Sequence, residues 1–149
     1  MDPGPFEKLL VALSRGEVRY LVVGGVACML NGHVRTTEDV DLLVDADPGN
    51  VKRLLEVLSR FGEGHARELS VADFSDEEGA VRLLEEFPVD MFTRIGGRRY
   101  ADMLRFQEFN GDPPIPYVNA DGLILLKSGS RRAQDQMDVE ALRRIPPKS

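Results

Sequence analysis

Tyr20-Leu21-Val22-Val23-Gly24-Gly25-Val26-Ala27-Cys28-Met29-Leu30 and, after eight further residues, Asp39-Val40-Asp41-Leu42-Leu43-Val44-Asp45 decide the reading of this chain. The run Tyr20 to Val23 is apolar, rich in β-branched residues and stopped by two glycines, which predicts a buried strand feeding a tight turn. Val26 to Leu30 reads as a short helix closing at Asn31-Gly32. Glu38 to Asp45 starts by alternating carboxylate with aliphatic, the pattern of a strand with one polar and one buried face. On such a strand Asp39 and Asp41 point the same way, roughly 7 Å apart at the backbone.

Upstream, Phe6, Leu9, Leu10 and Leu13 fall at helical spacing, with Gly16 placed as a C-cap. Downstream, Asp47-Pro48 opens a helix: Asp47 is positioned to accept N-terminal amide hydrogens, Val51, Leu54, Leu55 and Leu58 form the apolar stripe, and the end falls near Phe61. Residues 62–79 are polar and acidic and read as a connection. Ala80 to Leu84 and Val89 to Phe92 read as two strands separated by Pro88, and Ile115-Pro116-Tyr117-Val118 as an edge strand. Asn119-Ala120-Asp121 caps a helix over 122–128, and a last helix runs from Gln134 to Ile145 before Pro146-Pro147. The expected fold is α+β: a small mixed, twisted sheet with its carboxylate face open to solvent and helices packed on the other face.

Length and composition exclude several classes. The chain has 149 residues, 42% hydrophobic and 30% charged, without tryptophan, the profile of a single domain over 1–149 rather than two full-sized ones. Its apolar stretches fall far short of the roughly 20 residues that span a bilayer, and Met1-Asp2-Pro3-Gly4-Pro5 lacks the basic start of a secretory signal, so a cytoplasmic location is expected. The single cysteine, Cys28, makes no internal disulfide and reads as a small buried apolar residue. The net charge of −6 conceals a gradient: residues 1–93 carry 9 Lys+Arg against 18 Asp+Glu, and residues 94–149 carry 10 against 7. An acid-rich front and a base-rich back suit a site where carboxylates gather a cation and basic groups meet an anion, although uneven solvated surface has the same signature.

Asp39 and Asp41 repel each other unless a hard divalent cation sits between them; Mg²⁺ favours carboxylate oxygens together with substrate phosphates. Two solvated acids on an exposed edge are the competing reading, and context decides between them. Gly24 and Gly25, bare of side chains, allow backbone to approach a phosphate, with the next helix presenting free amide donors.

Val23-Gly24-Gly25, thirteen residues, then Asp39-Val40-Asp41-Leu42 resembles the nucleotidyltransferase signature of the DNA polymerase β superfamily, and Val89-Asp90-Met91 resembles its third carboxylate. More narrowly, Gly24-Gly25-Val26-Ala27 with Gly32 and Arg35-Thr36-Thr37-Glu38-Asp39-Val40-Asp41 is similar to the AbiEii-like nucleotidyltransferases of bacterial type IV toxin/antitoxin systems. Leu123-Ile124-Leu125-Leu126-Lys127 with Arg131, Asp135 and Asp138 is similar to that family's later motifs. Minimal antitoxin-type members carry Gly-Ser-x-Ala-Arg, from which Gly24-Gly25-Val26-Ala27-Cys28 departs.

The resemblance implies attack of an acceptor hydroxyl on the α-phosphorus of a nucleoside triphosphate with release of pyrophosphate. Asp39, Asp41 and Asp90 would be catalytic and hold two Mg²⁺ ions, with Mn²⁺ as a substitute, and Asp90 would also receive the hydroxyl proton. Gly24, Gly25, Arg35, Lys127 and Arg131 would bind the nucleotide. Lys127 reads equally well as the solvated end of a helix; Asp135 and Asp138 either orient Lys127 or Arg131 by ion pairing or sit on the surface. The implied acceptor is an RNA end or a protein hydroxyl, with a toxin-like role and a cognate antitoxin. Rivals are an antibiotic nucleotidyltransferase and a module that binds nucleotide without turning it over. Arg94-Ile95-Gly96-Gly97-Arg98-Arg99-Tyr100 reads as a contact for an RNA backbone or as an ordinary basic loop, and His33 and His65 lack the spacing of metal ligands.

Overall fold

The computed structural model describes residues 4–146. Helix α1 (Glu7–Arg15) buries Leu9, Leu10 and Leu13 and ends at Gly16, whose N–H bonds the Ala12 carbonyl at 2.9 Å, as the spacing predicts. Strand β1 (Tyr20–Val23) is buried at all four positions, and helix α2 (Gly24–Leu30) follows it directly. The two glycines therefore form the first turn of α2 rather than a separate turn. Strand β2 (Val40–Val44) begins one residue after Asp39, and helix α3 (Pro48–Leu58) follows.

The Asp47 side chain does not cap α3, contrary to expectation. Its carboxylate lies instead 3.4 Å from Arg19 Nη2, and the helix start is held by buried Asn50, which accepts from Arg19 N–H and donates to the Arg19 and Asp45 carbonyls. The connection over 62–79 contains short 3₁₀ turns at His65–Glu68 and Val71–Asp73. Strands β3 (Ala80–Leu84) and β4 (Pro88–Phe92) form a hairpin, and β5 (Arg94–Ile95) with β6 (Arg98–Arg99) forms a separate two-stranded ribbon. Helix α4 (Tyr100–Met103), strand β7 (Gln107–Asn110), strand β8 (Ile115–Val118), helix α5 (Ala120–Lys127) and helix α6 (Ala133–Arg143) complete the order. Asn119 caps α5 by accepting the Gly122 N–H at 3.0 Å, as read from the sequence; Pro147 lies outside the described residues.

The main sheet has six strands in the order β3-β4-β2-β1-β8-β7, mixed in direction, and confirms the expected α+β class. Two corrections concern its right-hand side. Strand β8 is interior and fully buried, between β1 and β7, and the edge is β7, which no alternation in the sequence had marked. Pro116 suggested an edge because proline removes a ladder donor. The β8–β1 ladder is short, its register pairing only Val22 with Tyr117, so little pairing is there for the proline to interrupt.

Register positions the acids. Asp41 on β2 stands opposite Val23 on β1 and, in the parallel β2–β4 pair, opposite Asp90. Leu21, Val23 and Leu43 share the face of Asp41 and are buried, so this face is open at the acids and closed toward the far end of β2. Among the described residues, no helix is long and apolar enough to cross a membrane.

Candidate active site

Asp39, just ahead of β2, Asp41 on β2 and Asp90 on β4 each offer a carboxylate oxygen within 4.8 Å of the others. The sheet does this: alternation along one strand brings the first two together, and parallel pairing brings the third beside them. Gly24 is required by the same geometry. Its φ is +66°, a conformation that costs glycine least, and a Cβ there would run into the Asp41 carboxylate. At Gly25 a Cβ would come within 2.7 Å of Thr37 Oγ1 and 3.1 Å of Arg35 Nη1. The glycines, read as room for a phosphate, are thus also the room that the chain's own Asp41 and Thr37 need.

Like charges this close repel one another. Burial, and then the charges of Asp39 and Asp90, push the Asp41 carboxyl up to about 7, against an opposing pull from Lys127 and Arg35. An oxygen-only donor set with surplus negative charge fits a hard divalent cation, which supplies the missing positive charge.

The acids form one side of a cavity of about 410 Å³. Arg35, Lys127 and Arg132 line it as cations opposite the acids, Arg82 lines it beside them, and Phe92, Ile95 and Leu126 give it an apolar side. A second buried carboxylate, Asp138 on α6, organises the cationic side. Its Oδ1 accepts from Arg35 Nε (2.8 Å) and Gln134 Nε2 (2.9 Å) and lies 3.1 Å from His33 Nε2; its Oδ2 accepts from Arg35 Nη2 and Lys127 Nζ, both at 3.0 Å. Burial alone would raise its pKa, but the hydrogen bonds from Arg35 and Lys127 prevail and hold it down to about 2. Burial alone would lower the Lys127 ammonium; its hydrogen bonds with Asp138 and Asp135 outweigh that and raise it. Lys127 is therefore a largely buried, paired cation facing the cavity, not a solvated helix end, and Asp135 and Asp138 orient Lys127 rather than Arg131.

Arg131 is exposed and does not line the cavity, while its neighbour Arg132 does. Arg132 has the extended backbone of a helix N-cap, where successive side chains point to opposite sides, so a displacement of one residue exchanges the two. Cys28 is buried, its thiol pushed up to about 11 first by burial and then by Asp138. His65 lies 3.3 Å from Glu63 Oε2, on the protein surface. In the basic segment, Arg94 and Arg99 pair with Asp76, and the Gly96 and Gly97 amides donate to Glu78 at 2.7 and 3.1 Å. The chain's own acidic turn thus takes up that basic loop.

Sequence reasoning missed Arg82, whose guanidinium grips Asp90 with Nε–Oδ1 2.8 Å and Nη2–Oδ2 2.9 Å. Arg82 stands opposite Asp90 in the β3–β4 register, a signal that exists only once the pairing is known. It also missed Thr37, Gln134 and Arg132.

The family described as "Nucleotidyltransferase of unknown function (DUF6036)" matches residues 6–90, more than half of the chain and a span that ends on the third acid. The chain belongs to this family. Nucleotidyl transfer is the class of activity that membership supports, and the family's description leaves substrate and acceptor open. A comparison with curated proteins finds no match. The matched span holds both glycines, Arg35 and all three carboxylates, whereas Lys127, Asp135 and Asp138 lie beyond it.

Proposed function

We propose that the protein is a divalent-metal-dependent nucleotidyltransferase that moves a nucleoside monophosphate from a nucleoside triphosphate to a hydroxyl acceptor. The observation that carries this reading is the convergence of Asp39, Asp41 and Asp90 on one side of a cavity whose other side presents Arg35, Lys127 and Arg132. That division matches a substrate needing metal on its α-phosphate and cationic groups on its leaving pyrophosphate. Asp39 and Asp41 hold the metal, with Asp90 as the third ligand; Mg²⁺ suits the all-oxygen set, and Mn²⁺ can replace it. When bound, such ions supply Lewis-acid activation of the acceptor hydroxyl and neutralise charge on the triphosphate.

The chain's own groups do the rest. Asp90 lies where it can receive the acceptor's proton. Lys127 offers a point charge to the β- or γ-phosphate, and Arg35, fixed by its two bonds to Asp138, and Arg132 assist it. Gly24 and Gly25 leave room at the cavity wall for Asp41 and Thr37 to face it. The acceptor is an RNA end or a protein hydroxyl, in the manner of the AbiEii-like toxins that the motifs resemble, and a cognate antitoxin would then be a partner. A small-molecule acceptor has one observation in its favour: Phe92 and Ile95 give the Asp90 side of the cavity apolar surface, while the nearby hairpin arginines are paired within the chain.

The test is incubation with each α-labelled nucleoside triphosphate and Mg²⁺, offering total RNA, lysate protein and aminoglycoside-type alcohols as acceptors. Label should move to one acceptor class with wild type and not with Asp39→Ala. Nucleotide binding without transfer to any of them would leave the non-catalytic module as the correct reading.

A further inference from the structure

Arg82 does something that the proposed chemistry does not use. Its fork spans both oxygens of Asp90, and Nη2 also lies 3.6 Å from Asp39 Oδ2. A single guanidinium therefore occupies one of the three acids completely and touches a second. It reaches them from β3, an edge strand of the sheet, with its side chain 54% exposed. A bidentate pair of this kind is geometrically specific, yet so open a pair is weakly held against water. Arg82 is thus both well placed to fill the position of a cation and free to leave it outward.

A dication bound to Asp90 and a guanidinium forked on the same carboxylate repel each other and compete for the same oxygens. We propose that Arg82 is a positioning residue that serves as the resident counter-ion of Asp90 and Asp39, and that it must swing away from Asp90 before a divalent cation can use that carboxylate. This rests on reading the three acids as a metal site. Arg82 offsets part of the acid cluster's charge until the metal arrives, and it sets how much free metal the site needs.

The test measures Mn²⁺ binding to the full chain by electron paramagnetic resonance, without nucleotide, alongside thermal melting with and without Mn²⁺. Arg82→Gln, which removes the repulsion between guanidinium and dication, should bind Mn²⁺ about tenfold more tightly than wild type, melt lower without metal, and gain more in Tm when Mn²⁺ is added. A merely structural arginine would lower Tm in both conditions and leave affinity alone. Arg94→Gln, which removes the same charge from the adjacent hairpin, should bind like wild type. In an Asp90→Asn background the gain from Arg82→Gln should disappear. Arg82→Lys, which keeps the charge but loses the fork, should show part of the gain and covers the case in which the glutamine variant folds only with metal. Unchanged affinity in both Arg82 variants, an equal gain from Arg94→Gln, or a gain that survives Asp90→Asn overturns the proposal while leaving the metal site standing. Failure of wild type and both Arg82 variants alike to bind Mn²⁺ overturns the metal reading and the proposal with it.

Discussion

Two aspartates, one lining the cavity and one buried behind its cationic side, are driven in opposite directions. Asp41 is partly exposed, and its carboxyl is pushed up to about 7; Asp138 is fully buried, and its carboxyl is held down to about 2. Burial raises both and is the largest cause of the rise at Asp41, so it does not separate them. Company decides: Asp41 faces two further acids, whereas Asp138 receives Arg35, Lys127, Gln134 and His33. One region is built short of positive charge, as a place for an incoming cation should be. The other is internally neutralised and serves as framework for the cations that face the substrate.

The same substitution in the two regions should therefore strike different properties. Asp90→Asn is expected to slow nucleotide transfer by about 10²- to 10⁴-fold in single-turnover assays, while urea unfolding of the metal-free protein shifts by less than about 1 kcal/mol, since Arg82 returns to water. Asp138→Asn leaves partly buried Arg35 without its counter-ion and strips one from Lys127. It should cost about 3 to 5 kcal/mol of unfolding free energy; a loss below about 1 kcal/mol in the same experiment would erase the distinction between framework and site.

Acid sharpens the contrast further. The folded pKa of Asp138 lies below the unfolded value of about 4, so its contribution to stability is fully present above pH 4 and is lost as pH falls toward 2. Wild type should lose roughly 2 kcal/mol over that interval from this group alone, and Asp138→Asn should show a correspondingly shallower acid limb. The smallest effect belongs to the glycine. Gly24→Ala meets both a positive φ and the Asp41 carboxylate, with an expected cost of about 1 to 3 kcal/mol and weakened Mn²⁺ binding; unchanged metal affinity would mean that Asp41 can move aside.

Local chemistry carried much of this site in plain view. Asp39 and Asp41 share a face by the period of a strand, and Gly16 and Asn119 cap helices where the sequence puts them. Asp90 was reached through family resemblance, because nothing local says that β4 pairs parallel with β2. Arg82 is meaningful only through its register opposite Asp90; Asp138 is offered by the resemblance as a partner for Lys127 or Arg131, but its hold on Arg35 is a contact across 103 positions. Long-range pairing is what a linear reading lacks. The edge position expected for Ile115 to Val118 failed for the same reason: Pro116 carries a local rule, and the neighbours of β8 are a global fact.

The carboxylate of Asp138 also ties together His33 and Arg35 from the loop after α2, Lys127 at the end of α5, and α6 itself. That loop continues through Thr37 to Asp39. Slackening at the far end of the chain would thus be transmitted to the first metal-facing acid, and any partner that gripped α6 would hold a lever on an apparatus it need never touch.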